Sequence, residues 1–208
     1  MLRNEFDNQY RIGAVEHIAG VDEAGRGPLA GPVYAAAVIL PSDFYSEEIN
    51  DSKKLSEKKR EVLFDVICEN ALAYSISSVS AQIIDEINIL NATFLAMKQA
   101  VDGLGIVPDF VLIDGNRSKG LTLPHECVVK GDAKSQSIAA ASILAKVARD
   151  RYLKEELAVK YPEYLFEKNK GYGTKLHVEK LLKFGPCLEH RKTFLTKILK
   201  KAESEEQE

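Results

Sequence analysis

Short apolar runs cut by glycine, proline and polar turns fill the first third of the chain. Residues 17–23 contain the run Ile18-Ala19-Gly20-Val21. The turn-rich stretch Gly25-Arg26-Gly27-Pro28-Leu29-Ala30-Gly31-Pro32 follows, then a continuous apolar run over 33–40. Apolar runs of this length bounded by Gly and Pro read as strands, so the two runs predict a pair of buried strands. After a polar loop, Ser56 is placed to cap a helix reaching about residue 70, with Glu57 suited to the helix dipole. Leu72, Tyr74, Ile76 and Val79 predict a third, somewhat irregular strand. Leu90, Phe94, Met97 and Val101 recur at helical spacing and predict helix over 80–103, in two segments. Residues 108–113 and 125–130 predict a fourth and a fifth strand. Residues 133–158 predict a long Ala-rich helix whose stripe Ile138, Ala141, Leu144, Ala145 and Ala148 packs closely on a sheet, ending at Tyr161-Pro162. Thr174 is placed to cap a helix reaching Phe184, stopped by Gly185-Pro186, and a last helix is predicted over 193–201. Residues 1–16 read as a lead-in or short helix, and residues from Ala202 onward as disordered. The expected architecture is α/β: one mixed central sheet flanked by helices, with a helical C-terminal appendage. The expected division is a lead-in (1–16), a main domain (17–160), a helical region (161–201) and an acidic tail (202–208).

The length of 208 residues suits one large domain, or a domain with an appendage, burying its own core. The formal charge of −3 changes the picture little, because residues 202–208 hold four glutamates and no basic residue. The remainder is close to neutral, so any affinity for nucleic acid has to come from local patches. Cys68, Cys127 and Cys187 are widely spaced and form no CxxC pair, which predicts reduced thiols in a cytoplasmic protein. The polar first 16 residues do not read as a signal peptide, and no apolar run is long enough to span a bilayer.

The candidate chemistry lies where apolar runs end. Asp22 and Glu23 follow the first strand, Asp114 follows Phe110-Val111-Leu112-Ile113, and Asp132 follows Cys127-Val128-Val129-Lys130 by two residues. Strand ends of an α/β sheet and the loops after them form a ligand crevice. Four carboxylates converging there repel, and a hard divalent cation with oxygen ligands is the usual remedy. The pattern therefore predicts a carboxylate Mg²⁺ or Mn²⁺ site suited to phosphoryl chemistry. Taken singly, each acid is better read as part of a solvated turn, and Asp22 with Glu23 can share a site only where the strand ends or bulges, or where Glu23 acts in part through its backbone carbonyl, because successive side chains alternate faces. Gly25-Arg26-Gly27 lacks both the Lys-Ser/Thr of a P-loop and a following helix. It reads either as an ordinary turn or as backbone that lets a ligand approach closely. The segment 168–175, with Tyr172 among lysines and glycines, suits a nucleic-acid backbone with one stacked ring, or a solvated loop. Ser52-Lys53-Lys54 and His190-Arg191-Lys192 are further basic clusters, of a kind more often found simply on the surface.

These residues together resemble the bacterial ribonuclease HII family. The resemblance rests on residues 20–33, Asp51-Ser52-Lys53-Lys54-Leu55, Asp114-Gly115, Lys130-Gly131-Asp132-Ala133 with residues 137–143, Gly171-Tyr172-Gly173-Thr174 with His177, and His190-Arg191, and it spans roughly residues 18–194. It implies a ribonuclease H-like fold and a metal-dependent endonuclease. Such an enzyme would act on the RNA of RNA–DNA hybrids and on the 5′ side of ribonucleotides embedded in duplex DNA, leaving 3′-hydroxyl and 5′-phosphate ends. Asp22, Glu23, Asp114 and Asp132 fall on the family's catalytic, metal-holding acids. Gly25, Arg26 and Gly27 fall on the loop that contacts the ribose 2′-hydroxyl, and Tyr172 on the ring that stacks at the RNA–DNA junction. Lys53, Thr174 and Lys175 complete the implied substrate-binding set. The implied cofactor is Mg²⁺ or Mn²⁺, and the implied state is a monomer away from membranes. A non-catalytic hybrid-binding protein would need the basic loop and Tyr172 but not four strand-end acids. A small-molecule phosphatase would need the acids but not the basic loop.

Overall fold

A computed structural model of the chain describes residues 2–205, with the side chains of Glu203 and Glu205 set aside. The described strands are β1 (Ile18–Ala24), β2 (Val33–Ile39), β3 (Ala73–Val79), β4 (Phe110–Asp114) and β5 (His125–Val128). They form one sheet in the order β3-β2-β1-β4-β5. The first three make an antiparallel meander, and β4 and β5 add on parallel to β1.

Alternation along β1 and β2 assigns each side of the sheet its own core. Ala19, Val21, Ala35 and Ala37 face helix α3 (Ala81–Asp102), where Ala92, Ala96 and Ala100 meet them. Helix α1 (Arg3–Asn8) lies near the start of the chain. Ala36 and Val38 face α2 (Glu57–Asn70) and α5 (Gln136–Arg151); a single turn, α4 (Gly131–Lys134), precedes α5. The alanine stripe of α5 brings that helix very close to the sheet. A Cβ built on Gly20 of β1 would lie 2.1 Å from the carbonyl carbon of Ser137, so only glycine fits there.

The lead-in is docked: Asp7 is buried and its Oδ2 accepts from both the N–H and the hydroxyl of Ser137, each at 2.9 Å. This carboxylate sits where the first turn of α5 leaves N–H groups without helical acceptors. The helix expected over 133–158 is interrupted. Ser135 is extended (φ −104, ψ 133) and its hydroxyl accepts from the Ile138 N–H, which starts α5 one residue later. Serine is a strong N-cap because its oxygen satisfies such an orphan donor. Past Arg151 the chain widens into a π-helical stretch, Tyr152–Leu157, and closes with α6 (Ala158–Lys160). Helix α3 is two segments joined at Asn88 (φ 65), whose side-chain oxygen accepts from the N–H groups of Leu90 and Asn91 and so caps the second segment internally. β3 is regular and pairs with β2 along its full length, against the irregular strand expected. β5 stops at Val128, short of residue 130, because Lys130 turns left-handed (φ 57) to begin α4.

The chain continues through a 3-10 turn (Pro162–Tyr164), α7 (Phe166–Asn169), α8 (Lys175–Phe184) and α9 (Lys192–Glu205). Ala202–Glu205 are thus helical where a disordered tail was expected, as the helix-favouring Lys, Ala and Glu of this stretch allow. The rest of that expected tail, 206–208, lies outside the described residues. This C-terminal part packs on the glycine-rich segment after β1: Ala30 meets Leu153, Leu157, Tyr164 and Phe166, while Leu29 meets Leu181 and Leu195. None of the described helices is long and apolar enough to cross a membrane.

The contact at Gly20 gives a test of this packing. Gly20→Ala should lower stability by about 1–3 kcal/mol or more, since the neighbour it meets is backbone and cannot swing aside. Gly105→Ala, where a Cβ meets nothing within 4 Å, should stay within about 0.5 kcal/mol of wild type in the same urea titration.

Candidate active site

Asp22 and Asp114 are neighbours by register. The parallel pairing of β1 with β4 ends at Val21↔Ile113, so each strand's next residue is one of these acids. Antiparallel pairing of β1 with β2 runs on to Ala24↔Tyr34. Beyond Val21, β1 is therefore open on its β4 side while still held by β2, and Asp22 and Glu23 both lie on this half-open strand end. Asp132 arrives from α4. The left-handed Lys130 directs the Gly131 N–H onto Asp114 Oδ1 at 2.7 Å, and a Cβ on Gly131 would come within 3.2 Å of that same oxygen.

These carboxylates crowd one another. Asp22 is held well above the usual carboxylate range, first by burial and then by the charges of Glu23 and Asp114. Burial also raises Glu23, against the pull of Arg26, whose Nη1 lies 3.2 Å from Glu23 Oε1. Asp132 is raised by burial and by Asp114 and Asp51. Lys53 responds in the opposite sense: burial would lower it, but Asp22, Asp132, Asp51 and Asp114 together hold it above the ordinary lysine value. Lys53 is presented by a 3-10 turn, Ser52–Lys54, built by Asp51 Oδ1 accepting from the Lys53 N–H at 2.9 Å. Arg60 donates to the carbonyls of Ser52 and Leu55, and the Ser142 hydroxyl donates to that of Ser52 at 2.7 Å, so the turn is pinned to α2 and α5.

An all-oxygen donor set short of positive charge fits a hard divalent cation. Asp22 and Asp114 each have one carboxylate oxygen engaged by a backbone N–H and the other without a protein donor among the described residues. No group of three His, Cys, Asp or Glu side chains among the described residues is already drawn tightly enough to hold an ion.

Two recesses flank Glu23 and Arg26, which line both. One, of about 270 Å³, lies on the α3 side and is bordered by Leu90, Phe94, Asp114, Asn116 and Arg117. The other, of about 210 Å³, lies on the α5 side and is bordered by Gly25, Gly27, Lys53, Ser142, Lys146 and Tyr172. The structure thus brings Asp22, Glu23, Asp114, Asp132 and Lys53 together and places Gly25, Arg26, Gly27 and Tyr172 beside them. Tyr172 is 44% exposed and lines the second recess. Thr174 and Lys175 line neither recess: the Thr174 hydroxyl caps α8 by accepting from the His177 N–H, and Lys175 points to solvent toward Glu179 at 3.9 Å.

The cluster His190-Arg191-Lys192, expected on the surface, is not there as a unit. His190 and Arg191 are buried, and Arg191 is fully enclosed. Arg149, also fully enclosed, is not among the residues singled out from the sequence, nor are Lys146 and Arg117. Lys146 is held by Asp150 at 2.7 Å, an i,i+4 pair on α5 that its spacing could have revealed. Arg149 sits in an alanine-rich helix with no pattern to mark it. A carbonyl cage around it exists only once residues far apart in sequence have met.

The chain matches a family model described as Ribonuclease HII over residues 19–198. It is 57% identical over 183 residues to a ribonuclease HII of Caldicellulosiruptor saccharolyticus, covering 88% of this chain and 89% of that one. It is 59% identical over 190 residues to a ribonuclease HII of Endomicrobium trichonymphae, covering 91% and 90%. The crystal structure of the ribonuclease H2 from Pyrococcus horikoshii superposes with a TM-score of 0.72 at 28% identity, covering 89% of this chain and 98% of that one.

The crowding has a measurable consequence in metal-free protein. A carboxylate raised in the folded state binds its proton more tightly there than in the unfolded chain, so its contribution is favourable at low pH and is lost as pH rises through the folded-state value. In chelator, wild type should lose stability on going from acid to neutral pH, and Asp22→Asn should flatten that dependence and melt higher at pH 7. A melting temperature for Asp22→Asn below wild type at neutral pH, without metal, would show that the repulsion is unimportant.

Proposed function

This chain belongs to the ribonuclease HII family, a family of RNase H endonucleases, and from that premise we propose a divalent-metal-dependent enzyme that cuts the RNA strand of RNA–DNA hybrids and the 5′ side of ribonucleotides embedded in duplex DNA. The products carry a 3′-hydroxyl and a 5′-phosphate. The observation that carries this reading is the meeting of four acids from three separate segments beside a backbone loop with unused hydrogen-bonding groups. A hybrid-binding protein without activity gains nothing from buried, mutually repelling carboxylates.

In this reading Asp22, Glu23, Asp114 and Asp132 hold Mg²⁺ or Mn²⁺, which when bound supplies charge to polarise the scissile phosphate and activate water. Lys53, kept protonated by the surrounding acids, meets the phosphate's negative oxygens. Arg26 steadies Glu23 and lies between the two recesses. The ribose 2′-hydroxyl both donates and accepts, which is what separates RNA from DNA at a cut. Gly27 can answer both capacities, because among the described residues neither its N–H nor its carbonyl has a protein partner. Tyr172 offers a ring face to the sugar or base at the junction. Residues 17–160 carry the acids and 161–201 carry Tyr172, which makes the second region a substrate-binding appendage to the first. All the assigned groups lie in one chain, so a monomer suffices.

The test is cleavage of a duplex holding one ribonucleotide, mapped to the nucleotide, in Mg²⁺, Mn²⁺ and chelator. Asp22→Asn and Asp132→Asn should each abolish turnover while leaving duplex binding largely intact. Near-normal cleavage by either at saturating Mg²⁺ would remove that residue from the site.

Tyr172→Ala should slow cleavage at the single ribonucleotide by about one to two powers of ten, from a stacking contribution of roughly 1–3 kcal/mol. Tyr172→Phe should lose less, and a long hybrid should suffer less than the junction substrate. Equal losses on both substrates would reduce Tyr172 to a support of its loop.

A further inference from the structure

Arg149 and Arg191 are fully enclosed, and neither forms an ion pair among the described residues. Their partners are backbone carbonyls. Arg191 donates through Nε to Gly31 at 2.9 Å, through Nη1 to Arg26 at 3.0 Å and Pro28 at 2.9 Å, and through Nη2 to Gly25 at 2.6 Å. Arg149 donates through Nε to Pro32 at 3.2 Å, through Nη2 to Ala30 at 3.2 Å and through Nη1 to Lys170 at 3.1 Å. The Leu29 carbonyl accepts from the backbone N–H of Arg191 at 2.8 Å. Of the carbonyls in residues 25–32, only that of Gly27 has no donor among the described residues.

We propose that Arg149 and Arg191 are positioning residues for ribose recognition: they draw the carbonyls of residues 25–32 inward and so leave the backbone of Gly27 turned toward the substrate. The proposal rests on the reading of Gly25-Arg26-Gly27 as the contact with the 2′-hydroxyl. Arg149 does a second job. It holds the glycine segment through Ala30 and Pro32 and the tyrosine segment through Lys170, and its guanidinium carbon lies 6.0 Å from the centre of the Tyr172 ring. The Leu29 N–H bonds the Gly171 carbonyl at 2.8 Å between the same two segments. The spacing between the group that reads the sugar and the ring that stacks beside it is thereby fixed from beneath.

The chemistry requires arginine. Four carbonyls diverging around Arg191 are met by a rigid planar fork with five N–H donors, whereas lysine offers three donors from a single point. Gly25 completes the arrangement: its φ of +97 is left-handed, and a Cβ there would strike Arg149 Nε at 2.1 Å. A Cβ on Gly27 would meet only the Tyr172 ring, at 3.8 Å, so bulk at Gly27 intrudes on the recess and leaves the loop's own packing alone.

The experiment compares Arg149→Lys, Arg191→Lys and Gly27→Val with wild type. Each protein's dissociation constant is measured without metal for a duplex carrying one ribonucleotide and for the all-deoxy duplex of the same sequence. Initial rates in Mg²⁺ give KM and kcat separately, and thermal melts report folding. Both lysine variants should melt cooperatively and lose most of the wild-type preference for the ribonucleotide duplex. Their kcat/KM should fall ten- to a hundredfold, with the Mg²⁺ activation midpoint unchanged within about twofold. If Gly27→Val abolishes the preference while both lysine variants keep it, the loop reads the sugar but the arginines do not set it, and the proposal fails. If Gly27→Val itself keeps the preference, the underlying reading of the loop fails instead. The two arginines hold different carbonyls, so a fold lost in one variant leaves the comparison to the other. Loss of the fold in both would make them anchors of the structure and overturn the proposal.

Discussion

Two positive charges buried beneath a glycine-rich segment, with carbonyl dipoles in place of counter-ions, hold the two halves of this molecule together. Removing a guanidinium from water costs several kcal/mol even in a relaxed interior. Hydrogen bonds to charged groups contribute about 1.5–3 kcal/mol each. With four carbonyls on Arg191 and three on Arg149, these contributions offset the cost only while every carbonyl stays in place. Such a cage is cooperative, because loss of one partner leaves the charge short of solvation. It ties α5, the segment after β1 and the C-terminal helices into one unit, and the apolar contacts of Leu29 and Ala30 with those helices follow from that placement.

The acids on the other side of Glu23 are under the reverse constraint. Here the charges are alike, buried and only partly answered by Lys53 and Arg26. The fold tolerates this because Asp22, Glu23 and Asp114 sit at strand ends fixed by long-range pairing and Asp132 on a helical turn held beside them. The β1–β4 register sets Asp22 beside Asp114, and α4 is locked to Asp114 through the Gly131 N–H. A site that is unfavourable on its own is thus built from parts whose stability comes from elsewhere: the alanine-lined contact of α5 with β1 and the apolar layer between the sheet and α3. The two kinds of buried charge meet in the second recess, where the loop braced by arginine faces the lysines and Tyr172.

Local signals in the sequence were strong enough to determine the strand order in chain, the helix over 57–70 with its Ser56 cap, the division of α3 and the four acids at the ends of apolar runs. Each depends on neighbours within a few residues: an apolar period, a capping oxygen, a glycine where a turn is needed. The family could be named for a related reason, since several short motifs recur together along the chain. Only the tertiary structure decided which charges are buried and what surrounds them. Arg191 has the same composition around it as a solvated basic cluster, yet it is enclosed because carbonyls from about 160 residues away in sequence converge on it. Thr174 and Lys175 share a basic segment with Tyr172, yet the start of α8 turns the hydroxyl into a cap and leaves the lysine in solvent. Periodicity and spacing carry information about a residue's own element. Burial and electrostatic partnership are properties of contacts between elements, and these exist only after the chain has closed on itself.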